Sequence, residues 1–252
     1  MKIRLIRHAS LWIEYAGQRI LVDPMFADKG TYPGLSVGRG KAASNPLVDL
    51  PGSMEEFVRP DAVLVTHLHF DHLDKTAAGR LSKELPLVCR TGDKSHLENW
   101  GFQRLIVCGR KPRTLQGVEY QRAAAKHGRG FVGLRMGRGA GFVLRAPEEP
   151  VLYLTGDTIF YPGVVRTLRR FRPDVIVANA GAARFAIGEP VTMTAEGIVT
   201  LALTIPKAKI VAVHMEAVNY CRLTRGELKE AVEQAGLTGR VAIPADGEEI
   251  LL

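Results

Sequence analysis

The chain has 252 residues, of which 46% are hydrophobic and 24% charged, and its formal net charge is +8. A chain of this length can bury a sizeable core, and one domain over residues 1–252 is expected. No apolar run approaches the roughly 18 residues of a membrane span, so no transmembrane segment is predicted. The positive charge favours an acidic partner, although a basic surface also serves solubility alone.

The cysteines and the first residues indicate the compartment. Cys89, Cys108 and Cys221 lie far apart and form no CxxC pair, which argues against a disulfide framework and a zinc ribbon. The opening MKIRLIRHASLW interrupts its apolar stretch with arginines and a histidine, unlike the core of a secretion signal. A cytoplasmic location is therefore predicted.

The first fifty residues predict a hairpin and a long loop. Residues 10–15 and 19–23 have the pattern of two strands joined by a tight turn, and Pro24 ends the second strand. Residues 29–52 are rich in glycine and proline and have no period of two or 3.6. We expect a long loop over one face, either a wall of a substrate site or a surface excursion.

Strands and helices alternate in the rest of the chain. The predicted strands lie at residues 61–66, 87–89, 105–107, 141–145, 151–155, 174–179 and 209–213. The predicted helices lie at residues 74–84, 94–101, 163–171, 194–203 and 224–235. In the last helix, Thr224 and Glu227 have the spacing of a capping box. Two halves of this kind predict an α/β (α+β) fold with two mixed sheets packed face to face and helices outside.

The most informative segment is HLHFDH at residues 67–72, directly after the apolar strand at residues 61–66. It contains three histidines and an aspartate within six positions. A single histidine at a strand end is more often a core or capping residue, but several buried imidazoles without partners would be costly. Metal coordination is the usual way to satisfy them. The segment therefore predicts a metal site formed by His67, His69, Asp71 and His72.

An HxHxDH motif after a strand resembles the signature of the metallo-β-lactamase superfamily. The resemblance implies a four-layered αββα sandwich with two metal ions at the edge of its sheets. The segments at residues 8–14 and 20–24 resemble the branch that includes ascorbate-phosphate lactonase and the phospholipase D acting on N-acyl phosphatidylethanolamines.

Single residues later in the chain resemble the remaining ligands of that family. His127 is similar to the third histidine of the first metal site, Asp157 to the aspartate shared by both metals, and His214 to the last ligand of the second. The implied ligand sets are His67, His69 and His127 for one metal and Asp71, His72 and His214 for the other, with Asp157 shared.

The implied ligands offer nitrogen and oxygen only, which suits two divalent ions, with zinc the leading choice and manganese or iron the alternatives. Two such ions share a hydroxide that attacks the substrate, and Asp71 could orient it and pass its proton to the leaving group. Asp23 is expected to orient a ligand, unless it only ends its strand. His8 matches no ligand, and we expect it to form a structural hydrogen bond.

Asn179 and Arg184 are candidates for substrate contact, because they follow a strand that ends on the expected site face, although a turn explains this segment as well. Residues near His214 are expected to line the pocket, namely Met215, Glu216, Asn219, Tyr220 and Cys221. The net charge and several arginines predict an anionic small-molecule substrate, a lactone, phosphodiester or related ester. The other arginines concerned are Arg129, Arg135 and Arg138.

Two alternatives to a small-molecule hydrolase stay open. A nuclease acting on RNA or DNA would explain the basic charge, but the chain contains no inserted nuclease domain, so nucleic acid is not the expected partner. A metal-binding scaffold without turnover is disfavoured by the complete ligand set. A homo-oligomer is compatible with the sequence.

Overall fold

The computed structural model describes residues 1–35, 42–109, 111–137 and 139–252. Residues 36–41 of the predicted long loop and Arg138 therefore lie outside the described residues. The strands are β1 (Lys2–Arg7), β2 (Ser10–Tyr15), β3 (Gln18–Val22), β4 (Ala62–Leu64), β5 (Leu87–Arg90), β6 (Leu105–Cys108), β7 (Arg113–Leu115), β8 (Val118–Ala124), β9 (Ala140–Arg145), β10 (Leu152–Leu154), β11 (Val175–Asn179), β12 (Lys209–Val213), β13 (Val241–Ala242) and β14 (Glu249–Leu251). The helices are α1 (Lys75–Arg80), α2 (Lys94–Asn99), α3 (Gly130–Met136), α4 (Pro162–Phe171), α5 (Ala195–Thr204) and α6 (Arg225–Gln234).

The strands form two mixed sheets. The order in the first sheet is β14-β1-β2-β3-β4-β5-β6, and the order in the second is β13-β12-β11-β10-β9-β8-β7. Strands β3 to β6 are parallel to one another, as are strands β10 to β13, while the other pairs are antiparallel. The predicted fold class, with two mixed sheets, is confirmed.

Side chains alternate between the two faces of each strand, and burial follows this alternation. On β4, Ala62 and Leu64 point into the core between the sheets, whereas Val63 joins a second cluster with α1 and α2. On β11, Val177 faces the central core and Ile176 packs under α4, α5 and α6. Helices therefore cover the outer face of each sheet, which confirms the αββα sandwich.

Most predicted helices are present, with differences at their ends. The helix expected over residues 74–84 ends at Arg80, because the buried Leu81 adopts an extended backbone. The capping box that starts α6 is present, with Thr224 and Glu227 each accepting from the other's backbone N–H. Helix α3 was not predicted from the sequence. Among the described residues, no helix combines the length and hydropathy needed to cross a bilayer.

Candidate metal centre

Each candidate ligand lies in a segment that follows the carboxyl end of a strand. The motif at residues 67–72 follows β4, whereas His127, Asp157 and His214 follow β8, β10 and β12. The pairing of the second sheet makes β8, β10 and β12 run in the same direction, so their carboxyl ends share one edge. The fold thereby brings residues that are far apart in sequence to one edge of the sandwich.

The candidate ligands form two groups. Within each group, the potential ligand atoms lie within 4.8 Å of one another. The first group contains His67, His69, His127 and Asp157, and the second contains Asp71, His72 and His214. The structure therefore places all seven residues together, in the division that the family resemblance implies.

Asp157 presents one carboxylate oxygen to each group. Its Oδ2 lies 3.3 Å from His127 Nε2 and 3.9 Å from His67 Nε2. Its Oδ1 lies 3.3 Å from both His72 Nε2 and His214 Nε2. Two atoms that bind one tetrahedral zinc ion stand about 3.3 Å apart, given bonds of about 2.0 Å. The three separations of 3.3 Å therefore suit pairs of atoms that bind the same metal ion.

In two of these imidazoles, protein groups contact Nδ1, the outer nitrogen, which points away from the cluster. His72 Nδ1 lies 2.7 Å from Asp23 Oδ2, and His127 Nδ1 lies 2.9 Å from the carbonyl oxygen of Val191. The Asp23 carboxylate also accepts from the backbone N–H and the hydroxyl of Thr66, both at 2.7 Å. A proton on Nδ1 leaves the Nε2 lone pair of each ring directed at the cluster. Asp23 therefore lies where a residue that orients His72 should lie.

The inner nitrogens, Nε2, point into the cluster, and a bound metal would be their partner. Nε2 of His72, of His127 and of His214 is buried and has no partner in hydrogen-bond geometry within the part of the chain that the structure describes. A buried polar atom without a partner costs about 1–3 kcal/mol. A metal ion accepts such lone pairs, so the residues present fit a bound metal.

The carboxylates contribute negative charge to the cluster. Burial alone would lower the pKa of His72, yet neighbouring carboxylates, led by Asp157 and Asp23, raise it to about 10. Burial would raise the pKa of Asp157, but the imidazoles of His214 and His72 hold it well below its usual range. Carboxylates that stay ionised inside a buried cluster attract positive charge, either protons on the imidazoles or metal ions.

His8 is hydrogen-bonded to a candidate ligand. Its Nε2 lies 3.1 Å from Asp71 Oδ2, and its ring lies against that of His214, with the ring centroids 3.7 Å apart. Burial lowers the pKa of His8 to about 3, so the ring is neutral and Nε2–H is the donor to Asp71. The structural hydrogen bond expected for His8 is present.

Two residues contribute more to the cluster than the sequence indicates. The hydroxyl of Thr66 lies within 3.3 Å of Nδ1 of both His67 and His72. The thiol of Cys221, expected only to line the pocket, lies 3.4 Å from His214 Nδ1. The position of Thr66 immediately before the motif was an available signal for its contact, whereas no local pattern links Cys221 with His214.

The two residues predicted to contact substrate lie elsewhere. Asn179 is buried behind the cluster, and its amide donates to Asp157 Oδ1 at 2.7 Å. Arg184 is exposed, and its Nε–H donates to the carbonyl oxygen of Gly188 within its own loop, at 2.9 Å. Neither side chain lines the cavity that leads to the cluster. Asn179 is therefore placed to orient a candidate ligand, and substrate contact by Asn179 or Arg184 stays a prediction.

A cavity of about 300 Å³ opens onto the cluster. Among the described residues, no lysine or arginine lines it, and of the residues expected near His214 only Tyr220 does. The polar lining consists of His69, Asp71, His127 and Asp157. The other lining residues are Leu35, Leu68, Phe70, Met136, Ala183, Phe185, Val191 and Tyr220. The cavity thus has a polar floor and apolar walls.

A family model described as a beta-lactamase superfamily domain matches residues 18–215. The chain belongs to the metallo-β-lactamase superfamily. It is 36% identical to the UPF0173 protein YddR of Bacillus subtilis over 252 residues, which cover 98% of each chain. It is 28% identical over 167 residues to the mitochondrial N-acyl-phosphatidylethanolamine-hydrolyzing phospholipase D of Saccharomyces cerevisiae, covering 62% of this chain and 34% of that protein.

A solved structure in this superfamily is similar over the whole chain. It is the isothiocyanate hydrolase from Delia radicum gut bacteria, with a TM-score of 0.94, 32% identity and coverage of 100% of this chain and 99% of that chain. Two other relatives are described as a UPF0173 metal-dependent hydrolase and as a possible metal-dependent hydrolase. The chain is accordingly a metal-dependent hydrolase, and the predicted family and enzyme class are confirmed.

Proposed function

We propose that this hydrolase cleaves a small, uncharged substrate with an electrophilic carbon, such as an isothiocyanate or a neutral lactone, at a centre of two divalent metal ions. The observation that carries the proposal is the cavity, whose imidazole and carboxylate floor is surrounded by apolar walls. Apolar walls bind an uncharged substrate by removing its surface from water.

The proposed metal centre uses the seven clustered residues. Zinc is the leading metal, with manganese or iron as alternatives, because both groups offer imidazole and carboxylate. When bound, two divalent ions lower the pKa of a water molecule and polarise the bond under attack. The proposed ligands are His67, His69 and His127 in one group and Asp71, His72 and His214 in the other, with Asp157 between them.

The protein groups around the centre have separate tasks in this proposal. Asp71 lines the cavity, so its carboxylate can take a proton from water and deliver it to the leaving group. His8 holds Asp71 from behind, and Asp23 fixes the ring of His72. The apolar walls, which include Phe70 and Tyr220, exclude bulk water from the reacting carbon.

The similarity to an isothiocyanate hydrolase supports a substrate of this kind. Isothiocyanates are uncharged, and addition of one water to R–N=C=S gives an amine and carbonyl sulfide. A proton must reach the nitrogen as its bond to carbon breaks. Asp71 is the cavity-lining carboxylate that we propose for this transfer, in the second ligand group.

The cavity favours a neutral substrate over the anionic ester expected from the net charge. An anionic group buried against these walls would lack a lysine or arginine partner among the described lining residues. Desolvation of an unpaired charge is costly, and the proposed metal ions would have to compensate for it alone. We therefore assign the +8 charge to the protein surface, and we retain a phosphodiester or nucleic acid only as a comparison substrate.

A substrate panel tests the proposal. Protein loaded with zinc or manganese is assayed against phenethyl isothiocyanate, a neutral lactone, bis(p-nitrophenyl) phosphate and single-stranded RNA. The expected result is that kcat/KM is highest for one of the two uncharged substrates and changes little with salt, since capture does not depend on surface charge. Fastest turnover of the phosphodiester or RNA, with a steep loss at high salt, would refute the proposal.

A further inference from the structure

Large apolar side chains are exposed beside the cavity. Phe131 and Leu134 on α3 are 72% and 81% exposed, and Ile187 in the facing loop is 84% exposed. Single exposed apolar residues are common, but a group of them at the mouth of a cavity marks a binding surface. These side chains are therefore candidates for contact with a ligand.

Phe131 and Ile187 line a second depression, the outer groove, with a volume of about 560 Å³. Its lining is apolar apart from Arg135, whose guanidinium carbon lies 5.7 Å from the centre of the Phe131 ring. The other residues that line the groove are Leu35, Val132, Met136, Phe185 and Ala186.

The outer groove adjoins the cavity over the metal centre. Leu35, Met136 and Phe185 line both spaces, so they form the boundary that the two share. The cavity alone has about 300 Å³, whereas a ligand that extends into the groove has access to both volumes. The groove, which extends to Ile187, therefore lies next to the space that a ligand at the cluster would occupy.

The protein fixes both sides of the groove. On one side, the amide of Asn219 accepts from the backbone N–H of Leu35 at 3.1 Å and donates to its carbonyl oxygen at 2.8 Å. On the other side, α3 packs closely on the facing loop, where a Cβ on Gly188 would lie 2.8 Å from Val132 Cγ2. The groove is thus formed before any ligand binds, which reduces the ordering cost of binding.

We propose that the outer groove binds the apolar substituent of the substrate, an alkyl or aryl-alkyl group of several carbons, while the reacting carbon occupies the cavity over the metal centre. This inference rests on the proposed function and specifies its substrate class. A flat lipid surface or a second copy of the chain would contact the protruding Phe131 and Ile187. Neither would occupy the boundary at Leu35 and Met136, which the adjoining spaces make available to a narrow ligand.

The test measures binding without turnover. Linear hydroxamates from acetohydroxamate to decanohydroxamate bind metal through their head group, and their Kd values for the zinc-loaded protein are measured by calorimetry. Affinity is expected to rise about twofold to fourfold per added methylene, the upper value corresponding to about 0.8 kcal/mol per buried CH₂. Acetohydroxamate affinity reports on the metal centre, whereas the dependence on chain length reports on the groove.

The groove variant is Ile187→Asp. The matched control is Leu203→Asp, which alters an exposed aliphatic residue that does not line the groove. Ile187→Asp should flatten the dependence on chain length for the longer hydroxamates and leave acetohydroxamate binding unchanged, and Leu203→Asp should change neither.

A Kd independent of chain length, or equal slopes in the two variants, would overturn the proposal. Dimerisation or binding to phosphatidylcholine vesicles that Ile187→Asp abolishes, together with flat slopes, would assign the groove to that other occupant. Failure of acetohydroxamate to bind counts instead against the metal centre.

Discussion

His214 differs from His72 and His127 in the chemical group that contacts its outer nitrogen, Nδ1. A thiol, Cys221 Sγ, lies 3.4 Å from its Nδ1, whereas His72 contacts a carboxylate and His127 a backbone carbonyl. Groups that contact the outer nitrogen of a metal-binding imidazole fix its orientation, and their loss typically weakens metal binding about 10-fold to 100-fold.

Replacing Cys221 is therefore expected to weaken the second metal site selectively. Cys221→Ala should lower the affinity for one metal ion about tenfold and leave the other ion unchanged. Cys221→Ser should retain most of the affinity, because a hydroxyl can take the place of the thiol. Competition with a chromophoric chelator measures both constants. Equal affinities in Cys221→Ala and the unaltered chain would show that the thiol does not position His214.

At the residue scale, the local motif was predictable and the contacts behind it were not. Residues 67–72 are adjacent in the chain, so the motif alone indicates their proximity. Asp157 and His214 were identifiable only through the family resemblance, since a single strand-end residue has many roles. The contact of Asn179 with substrate stays a prediction. Its orientation towards Asp157 depends on the packing of β11 beside the segment after β10, which no local pattern shows.

Helix α6 shows what the sequence determines at the scale of an element. The side chains and backbones of Thr224 and Glu227 cap its first turn reciprocally, as their spacing predicts. The helix buries Leu228 and Val232 against the second sheet. A local interaction thus determines where the helix begins, while tertiary packing stabilises the rest of the helix.

Removal of this cap is expected to lower stability without altering the metal centre. Thr224→Ala should reduce the free energy of unfolding by about 1 kcal/mol, the usual effect of losing a capping side chain. Thr204→Ala, at the other end of a neighbouring helix, is the control for loss of a hydroxyl. Urea titrations give both values, with metal content measured in parallel. A loss in Thr204→Ala as large as in Thr224→Ala would contradict the capping role.

The elements that the sequence did not reveal depend on packing and pairing that no local pattern shows. Strand β14 has three residues and pairs with β1 at the opposite end of the chain. Helix α3 contains Gly130 and Gly133, which are poor helix formers. A Cβ on Gly133 would lie 2.7 Å from the backbone of Gly128, so glycine permits the helix to pack against the segment after His127. Close packing, and not propensity, accounts for this helix.

At the scale of the molecule, the two sheets meet at one edge where the candidate ligands collect. Strand β14 joins the first sheet after the chain has completed the second, which supports our proposal that residues 1–252 form one domain. The cluster is the place where buried carboxylates and imidazoles from both sheets face one another. Ions bound there would connect the two sheets.

Metal removal is therefore expected to destabilise the whole fold. A ligand present at about 100 times its Kd stabilises the folded state by about 2.7 kcal/mol. For a chain of this size we expect chelation to lower Tm by about 5–10 °C. Calorimetry with and without zinc measures the change, and Asp157→Ala, which lacks the shared carboxylate, should respond much less. Identical Tm values for the metal-loaded and metal-free protein would contradict metal binding between the sheets.

Metal stoichiometry tests the central claim, a two-metal centre assembled from these seven residues, most directly. Elemental analysis of the zinc-loaded chain should give about two ions per molecule, as two ligand groups with a shared carboxylate require. His127→Ala should retain about one ion and lose hydrolysis by more than about 100-fold, because it removes a ligand and not merely a group that orients one. His96→Ala, which alters the histidine on α2 outside the cluster, should retain both ions and full activity. A chain that takes up no zinc or manganese, or equal metal content and activity in His127→Ala and His96→Ala, would contradict the account.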